Sequence, residues 1–309
     1  MAAGHGRITC TLNGSTVAFS ELSSTYPLKL LSPRLAANAV AIVYMMSYGG
    51  GLVCGDRIKL QVRAEGGSRL LLLSQGFTKV FKTRHTNCAS TCPSNLLESS
   101  ALKNNTTVQL VDIYVAPKSA VFLLPDPVTC FAAASYTQVQ RFHLSKDSTM
   151  ILLDWFTSGR KALGEEWMFD RFHSVNEVIL DGRRLARDAM LLENRFVQDP
   201  VAGDTHQPEL SRPLAERLKP YSCYATLFLC GPLVQCIIAH LDEKMRSLSV
   251  FRTATPVRVL WAMTPVDDGK VFMIRVAGVE TEDVKGWLEE SLRPLEDVIG
   301  IDTYRKTFV

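Results

Sequence analysis

The sequence predicts a mainly β protein of the α+β class, built from many short strands in an antiparallel or solenoid-like arrangement. Residues 57–63 alternate polar and apolar without a break, which places Ile58, Leu60 and Val62 on one face of a half-buried strand. Five further runs rich in branched or aromatic residues end at turn-forming residues, as strands do: 70–73, 108–115, 121–124, 150–155 and 175–180. No helical pattern separates these runs, which argues against a doubly wound α/β fold.

The last third of the chain combines strands with helices. Residues 223–230 suit a buried strand, and Pro232 follows where proline favours the first turn of a helix. The next apolar residues recur every four positions and therefore share one helical face; they are Leu233, Ile237, Leu241 and Met245.

Two more strands and a second helix complete this part of the sequence. Residues 257–263 and 270–277 have the composition of strands. The second helix is expected to begin at a Thr281 cap and to continue to Arg293, just before a proline.

The chain is expected to divide into two regions that pack as one compact unit. Residues 1–200 form the β-rich region that carries the glycine segment described below. Residues 201–309 form a strand-helix-strand-strand-helix region packed on it. Four prolines within residues 199–220 mark the connection between the two.

Composition narrows the classes of function. The net charge of +3 is small and evenly spread, which argues against a nucleic-acid partner. The apolar stretches at residues 35–46 and 224–238 are shorter than the roughly 20 residues that cross a bilayer, and no secretory signal is evident, so no membrane partner and a cytoplasmic location are expected. The eight cysteines are scattered along the chain, which favours free, mostly buried thiols in a reducing compartment.

Residues 49–56 are the most unusual segment, because three glycines in a row precede the strand at 57–63. They do not form a dinucleotide-binding fingerprint, since Cys54 stands where the third glycine would be and a strand follows instead of a helix. Taken alone, the segment favours a tight turn or bulge that Asp56 caps.

Several motifs resemble the family of urease accessory proteins of the D type, also called H. Residues 50–56, Gly-Gly-Leu-Val-Cys-Gly-Asp, are similar to that family's Gly-Gly-Leu-Val-x-Gly-Asp signature, and residues 74–81 resemble its Thr-Lys-Val-Tyr element, with Phe81 in place of the tyrosine. Further similarities follow in the family's order to about residue 300: Leu124-Pro125-Asp126-Pro127-Val128, Asp154-Trp155, Gly159-Arg160, Gly164-Glu165, Ile274-Arg275-Val276, and Trp287 with Leu292-Arg293-Pro294.

The resemblance implies a β-helical-like fold with two helices in the C-terminal third and no catalytic activity. It also implies a complex with the urease apoprotein, urease accessory protein F and, through the complex, the GTPase urease accessory protein G. The implied role is that of a nickel-insertion chaperone, which scaffolds this complex and passes Ni²⁺ toward the urease active site. Nickel is then transient cargo, and no cofactor is expected to be tightly bound.

A nickel route needs side chains that hold a borderline cation weakly, so carboxylate and hydroxyl oxygens suit it better than a closed thiolate site. The candidates are Asp56, Ser74, Asp154, Arg160, Glu165 and Asp188, with Cys54 beside Asp56 as a further transient contact. A pairing of Arg160 with Asp154 is one hypothesis for moderating metal affinity; an ordinary structural ion pair is the other. The structural positions of the family signature are Gly50, Gly51, Gly55, Gly159 and Gly164.

Other readings of the sequence stay open. A hydrolase that uses Asp56 and Glu165 as acid and base is one alternative, although the chain lacks a Gly-x-Ser-x-Gly nucleophile motif. A pure interaction scaffold without metal transfer is another. The three soft ligands of the motif His85-x-x-Cys88-x-x-x-Cys92 lie in a polar loop and are more easily explained as incidental than as a metal site.

Overall fold

The computed structural model describes residues 2–33, 40–83, 105–194, 212–247 and 257–308. The described residues contain nineteen strands: β1 (His5–Asn13), β2 (Thr16–Ser24), β3 (Leu28–Leu31), β4 (Val40–Ser47), β5 (Arg57–Glu65), β6 (Arg69–Ser74), β7 (Thr78–Val80), β8 (Thr107–Val115), β9 (Ala120–Leu123), β10 (Val128–Cys130), β11 (Ser135–Leu144), β12 (Thr149–Thr157), β13 (Gly159–Arg160), β14 (Glu165–Glu166), β15 (Arg171–Leu180), β16 (Arg183–Glu193), β17 (Cys223–Cys230), β18 (Val259–Val266) and β19 (Val271–Gly278).

The same residues contain five α-helices and four short 3₁₀-helices. The α-helices are α1 (Leu214–Leu218), α2 (Gln235–Arg246), α3 (Thr281–Ser291), α4 (Glu296–Ile299) and α5 (Ile301–Arg305). The 3₁₀-helices are Tyr48–Gly50, Lys161–Leu163, Pro232–Val234 and Arg293–Leu295. No helix among the described residues is long and apolar enough to cross a membrane.

Most strands belong to two sheets. Sheet 1 has the order β16-β15-β11-β8-β5-β1-β2, and its five inner strands are parallel to one another. Sheet 2 has the order β18-β19-β17-β12-β9-β6-β4-β3, and its middle strands β4, β6, β9 and β12 are also parallel. Antiparallel strands complete each sheet at both ends.

The chain passes back and forth between the two sheets. β5, β8 and β11 enter sheet 1, and each is followed by a strand of sheet 2, namely β6, β9 and β12. The short strands β7 and β10 pair with each other outside the main path of sheet 2. The result is a two-sheet solenoid whose axis runs across the strands, as the mainly β, solenoid-like prediction requires, and that prediction is confirmed.

Two cores fill the molecule. The first lies between the sheets, and the second lies between sheet 2 and the C-terminal helices. β6 shows why sheet 2 has continuous apolar runs: Leu70 and Leu72 face the first core, whereas Leu71 and Leu73 face the second. A strand that is buried on both faces cannot alternate in polarity.

Sheet 1 covers only one core, which explains the alternation in residues 57–63. Ile58, Leu60 and Val62 point into the first core, and the residues between them point outward. Burial of one face fixes the register, because a shift of one residue would exchange the two faces.

The predicted helices are present, with one difference at a terminus. The first follows Pro232–Val234 and buries Ile237, Ile238 and Leu241. The N-cap of α3 is Glu280, not Thr281; it forms a capping box with Asp283. Asp and Glu accept hydrogen bonds from helical N–H groups as Thr does, so composition alone does not fix the capping position within one residue.

All nine predicted strands are present, and most of their ends lie within two residues of the prediction. β15 begins four residues before the predicted start at 175, and β18 ends three residues after the predicted end at 263. The strands that the sequence does not predict are β1 to β4, β7, β10, β11, β13, β14 and β16. β17 pairs with β12 and thereby joins the C-terminal strands to sheet 2. The division at residue 200 stays a prediction.

Substitution in the core between the sheets should be costly. We expect Leu152→Ala on β12 to lower the free energy of unfolding by about 2–5 kcal/mol, because Leu152 is fully buried in the first core. Leu260→Ala on β18 is the matched control; Leu260 is 54% exposed, so a change within about 0.5 kcal/mol is expected. Chemical denaturation of both variants measures the difference, and equal values would contradict the assignment of the core.

Candidate functional site

A cavity with a partly polar lining lies between the two sheets. It leaves about 60 Å³ of space for water. Leucine, isoleucine, valine and methionine side chains form much of the wall, but eight polar residues also line it: Ser47, Ser74, Thr78, Gln109, Asp126, Gln138, Gln140 and Asp154. Polar groups in this number are unusual for the space between two packed sheets, so each one requires hydrogen-bond partners.

The polar residues lie in a row because neighbouring strands place them in register. On β12, Asp154 occupies an inner position between Leu152 and Phe156, which both face the first core. On sheet 1, Gln138 pairs with Ser174, and Gln140 pairs with Asn176, across β11 and β15. We call the set Gln109, Gln138, Gln140, Asp154, Ser174 and Asn176 the polar row; it follows the solenoid axis.

Asp154 is the centre of the polar row. Its side chain is buried, and three neutral groups donate hydrogen bonds to its carboxylate. Gln138 Nε2 lies 2.9 Å from Oδ1, and Ser174 Oγ and Asn176 Nδ2 lie 2.6 and 2.7 Å from Oδ2. Gln140 Nε2 in turn donates to Asn176 Oδ1 at 3.3 Å, which extends the network along the axis.

The charge of Asp154 is not balanced by an adjacent cation among the described residues. Burial raises the pKa of its carboxyl above the ordinary value, and the hydrogen bonds from Ser174, Asn176 and Gln138 only partly oppose this. A buried carboxylate without an ion-pair partner is costly, and perturbed groups of this kind concentrate at functional sites. Serine hydroxyl and amide oxygens beside it are also suitable ligands for a hard or borderline cation.

We call Ser74 and Asp126 the cavity mouth; Ser74 is the last residue of β6, and Asp126 lies three residues after the end of β9. Ser74 Oγ donates to Asp126 Oδ2 at 3.0 Å, and the Asp126 N–H donates to Ser74 Oγ at 2.7 Å. The Gly76 N–H also donates to Asp126 Oδ2. Trp155 Nε1 donates to the Pro125 carbonyl at 2.7 Å and so fastens this turn to β12, one residue after Asp154. Both mouth side chains are partly exposed.

An ion pair closes the opposite end of the row. Asp188 on β16 lies opposite Asn176, and Arg275 on β19 is two strands from Asp154, with Thr226 between them. Arg275 Nη2 contacts Asp188 Oδ1 at 2.7 Å, across the gap between the sheets. From Ser74 to Arg275 sheet 2 advances by four strands, or about 19 Å at about 4.8 Å per strand.

Three of the predicted site residues, Ser74, Asp154 and Asp188, therefore lie at successive positions along the solenoid axis. The other candidates lie elsewhere. Arg160 and Glu165 occupy the β13–β14 hairpin beyond the end of β12.

The hypothesis that Arg160 pairs with Asp154 is wrong. The inner face of β12 directs Asp154 into the first core, whereas Arg160 lies beyond the end of that strand and binds Glu165, with Nε 2.8 Å from Oε2. The hydrogen bonds from Arg160 lower the pKa of Glu165. The Arg160 guanidinium also lies 4.2 Å from the ring centre of Phe131. This local arrangement is an ordinary structural ion pair, which was the other hypothesis.

The glycine segment forms a tight turn, as its composition alone indicates. Asp56 Oδ2 accepts a hydrogen bond from the Val53 N–H at 2.9 Å, and burial raises the pKa of this carboxyl. Cys54 Sγ contacts the Asn105 carbonyl. Asp56 and Glu165, the acid and base of the hydrolase alternative, thus hold separate local structures.

The five signature positions require glycine for two different reasons. Gly50, Gly55, Gly159 and Gly164 adopt positive φ, which side chains disfavour. Gly51 is extended, but a Cβ there would lie 2.7 Å from the Lys79 carbonyl oxygen, so the neighbouring β7 backbone requires glycine. A Cβ at Gly159 would lie 2.4 Å from the Glu165 carbonyl oxygen, which keeps the hairpin closed.

The six described cysteines are free, as predicted, and four of them are buried: Cys10, Cys130, Cys223 and Cys230. Burial raises the pKa of all four thiols, to about 11 for Cys10 and Cys230 and to about 12 for Cys223. The His85, Cys88 and Cys92 motif lies outside the described residues.

The sequence does not predict several residues of the site: Gln109, Asp126, Gln138, Gln140, Ser174, Asn176 and Arg275. One signal was available for two of them. Gln138 and Gln140 occupy inner positions of a strand, where a sheet facing a core normally carries apolar residues. Asp126 lies within the Leu-Pro-Asp-Pro-Val motif, but only the fold shows that its side chain reaches Ser74.

These features define a two-sheet β-solenoid protein with a buried carboxylate in an axial polar row. A family model described as UreD urease accessory protein matches residues 2–305. The chain belongs to the UreD urease accessory protein family.

Relatives of similar length support this assignment. The chain is 33% identical over 310 residues to urease accessory protein 4 of Cryptococcus neoformans var. grubii, covering 94% of this chain and 90% of that protein. It is 30% identical to urease accessory protein D of Arabidopsis thaliana, covering 97% and 99%. It is also 30% identical to urease accessory protein UreD of an Anaeromyxobacter strain, covering 99% and 90%.

The raised pKa of Asp154 predicts a specific pH dependence of stability. Above the ordinary carboxyl pKa of 3.8, the unfolded state has lost a proton that the native state still binds, so the wild-type protein loses stability as pH rises until the native carboxyl also ionises. Asp154→Asn removes this contribution. We expect the melting temperature of the variant, relative to wild type, to increase from pH 4 to pH 7. A difference that is constant or falls over this range would contradict the burial argument.

Proposed function

We propose that this urease accessory protein is a non-enzymatic nickel-insertion chaperone of the cytoplasm, in which Ni²⁺ moves as cargo along the polar row. The proposal rests on one observation: Asp154 is a buried carboxylate without a cationic partner among the described residues, and its row runs between the mouth and the opposite end of the solenoid. A divalent cation supplies the charge that the protein does not.

The chemistry of the row suits transit better than storage. One carboxylate and several neutral oxygens bind a divalent ion less tightly than a closed set of charged ligands does. Each side-chain amide or hydroxyl that donates to Asp154 also carries an oxygen atom. Rotation about the side-chain torsion angles can turn that oxygen toward a cation. Ni²⁺ accepts oxygen ligands, and weak sites in series allow it to leave as well as to enter.

Ser74 and Asp126 place oxygen atoms at the mouth, where an arriving ion first exchanges its water. The amide side chains of Gln109, Gln138 and Gln140 line the path from there to Asp154. We assign Asp56, Cys54, Arg160 and Glu165 to the support of turns, since each is held by a local contact outside this path.

For partners we propose the urease apoprotein and urease accessory protein F, with the GTPase urease accessory protein G reached through the complex. Family membership supports this assignment. In that assembly the chain acts as scaffold and conduit together.

Asp154→Asn is the direct test of the conduit. Coexpressed with urease and the other accessory proteins, this variant should lower the nickel content and activity of urease roughly tenfold or more, because it removes the one charge in the row. Gel filtration should show an intact complex, since Asp154 is buried and offers no partner surface.

Glu165→Gln is the matched control, because it removes a carboxylate outside the row and should leave nickel content near the wild-type value. If Asp154→Asn delivers normal nickel, the conduit is wrong and a pure interaction scaffold is the better function. If it loses the complex together with nickel, Asp154 is structural.

A further inference from the structure

Two ion pairs connect the sheets at the end of the solenoid away from the mouth. Both join β16, the edge strand of sheet 1, to the edge of sheet 2 that β18 and β19 form. Arg275 on β19 binds Asp188 at 2.7 Å, and Arg183 on β16 binds Asp267 in the β18–β19 turn. Only the first of these pairs continues the polar row.

The register shows how closely the Arg275 pair approaches Asp154. Asp188 lies directly opposite Asn176, whose amide donates to Asp154, so their side chains share the inner face of sheet 1. Arg275 lies opposite Thr226, and Thr226 lies opposite Asp154, so these three share the inner face of sheet 2. The charge of Asp188 also acts on Asp154, where it adds to the rise in pKa.

Exposure differs between the two partners. The Asp188 side chain is 16% exposed, whereas the Arg275 side chain is 59% exposed. The carboxylate is therefore fixed at the end of the row, and the guanidinium reaches it from the solvent side on a long, flexible stem. Rotation of that stem would uncover Asp188 and requires no movement of either sheet.

We propose that Arg275 is a tethered cation that gates this end of the nickel route: it occupies the space beside Asp188 when the row is empty and yields it when a divalent ion passes. This inference rests on the proposed function of the row and adds a residue that regulates it.

The net charge of the three side chains explains why a divalent ion would replace the Arg275 guanidinium instead of binding beside it. With both carboxylates ionised, Asp154, Asp188 and Arg275 carry a net charge of −1. A divalent ion added beside the paired Arg275 would leave a net charge of +1, whereas a divalent ion that replaces Arg275 leaves a net charge of zero. Like charges at such short range repel strongly, so the ion and the guanidinium compete.

The test is Ni²⁺ titration by calorimetry on the tag-free, full-length protein. Arg275→Gln should bind Ni²⁺ about tenfold more tightly than wild type, because a competing positive charge is gone. Asp188→Asn should change affinity in the opposite direction, since it removes a carboxylate and leaves Arg275. Arg183→Gln breaks the neighbouring inter-sheet pair and should leave Ni²⁺ affinity unchanged.

If the Arg275–Asp188 ion pair only stabilises the fold, the variants should behave differently. Arg275→Gln, Asp188→Asn and Arg183→Gln should then all lower the melting temperature, with no opposed changes in Ni²⁺ affinity, and this result would overturn the gate. Arg275→Lys keeps the charge and should restore affinity close to wild type, which guards against a folding defect in Arg275→Gln.

The Asp154→Asn background separates the gate from the conduit. If the gate acts on the row, the tighter binding of Arg275→Gln should disappear when Asp154→Asn is added. If Asp154→Asn alone weakens Ni²⁺ binding but Arg275→Gln changes nothing, the conduit stands and the gate is wrong. If Asp154→Asn changes neither binding nor nickel insertion, the proposed function itself is wrong, and the gate with it.

Discussion

Parallel strands cannot be joined by a tight hairpin, so each one must be followed by a segment that carries the chain back to its starting edge. Here the returning segment is itself a strand of the opposite sheet: β5 leads to β6, β8 to β9 and β11 to β12. This arrangement stacks equivalent positions along one axis at the spacing of neighbouring strands. The polar row follows from it, since a side chain on the inner face of one strand meets its counterpart on the next.

Sheet 2 also has a second constraint, because helices cover its outer side. Its central strands therefore bury both faces, and most residues that point toward the helices are apolar. Arg69, which donates to the Val298 carbonyl of α4, is an exception. Asp154 is tolerated in such a strand because it points inward, where sheet 1 supplies three donors. An apolar residue of similar size would avoid the desolvation of a carboxylate, so stability does not explain its presence. The balance points to a use for the charge.

The mainly β class, nine of the nineteen described strands and both long helices could be predicted because their apolar patterns reflect burial directly. β11 and β16 were missed for the same reason: Gln138 and Gln140 replace apolar residues on the inner face of β11, and β16 at the edge carries Arg183, Arg184 and Arg187. In the site, Ser74 and Asp154 were found through motifs. Asp126 and Arg275 also lie in motifs, but their partners are 52 and 87 positions away in the chain, so the sequence does not show what they contact. The mistaken Asp154 and Arg160 pair came from their closeness in sequence, which says nothing about the face of a strand that each side chain occupies.

The four buried cysteines have a chemical consequence for the proposed nickel route. Only the thiolate is a strong metal ligand, and burial keeps these thiols protonated at neutral pH. If nickel moves through the interior as proposed, these four thiols therefore compete little with the oxygen atoms of the polar row. Copper(I) and zinc depend more on thiolate ligands than nickel does, and these four protonated side chains provide none. The proposed route therefore passes through an interior whose sulfur atoms offer softer metals no strong binding site.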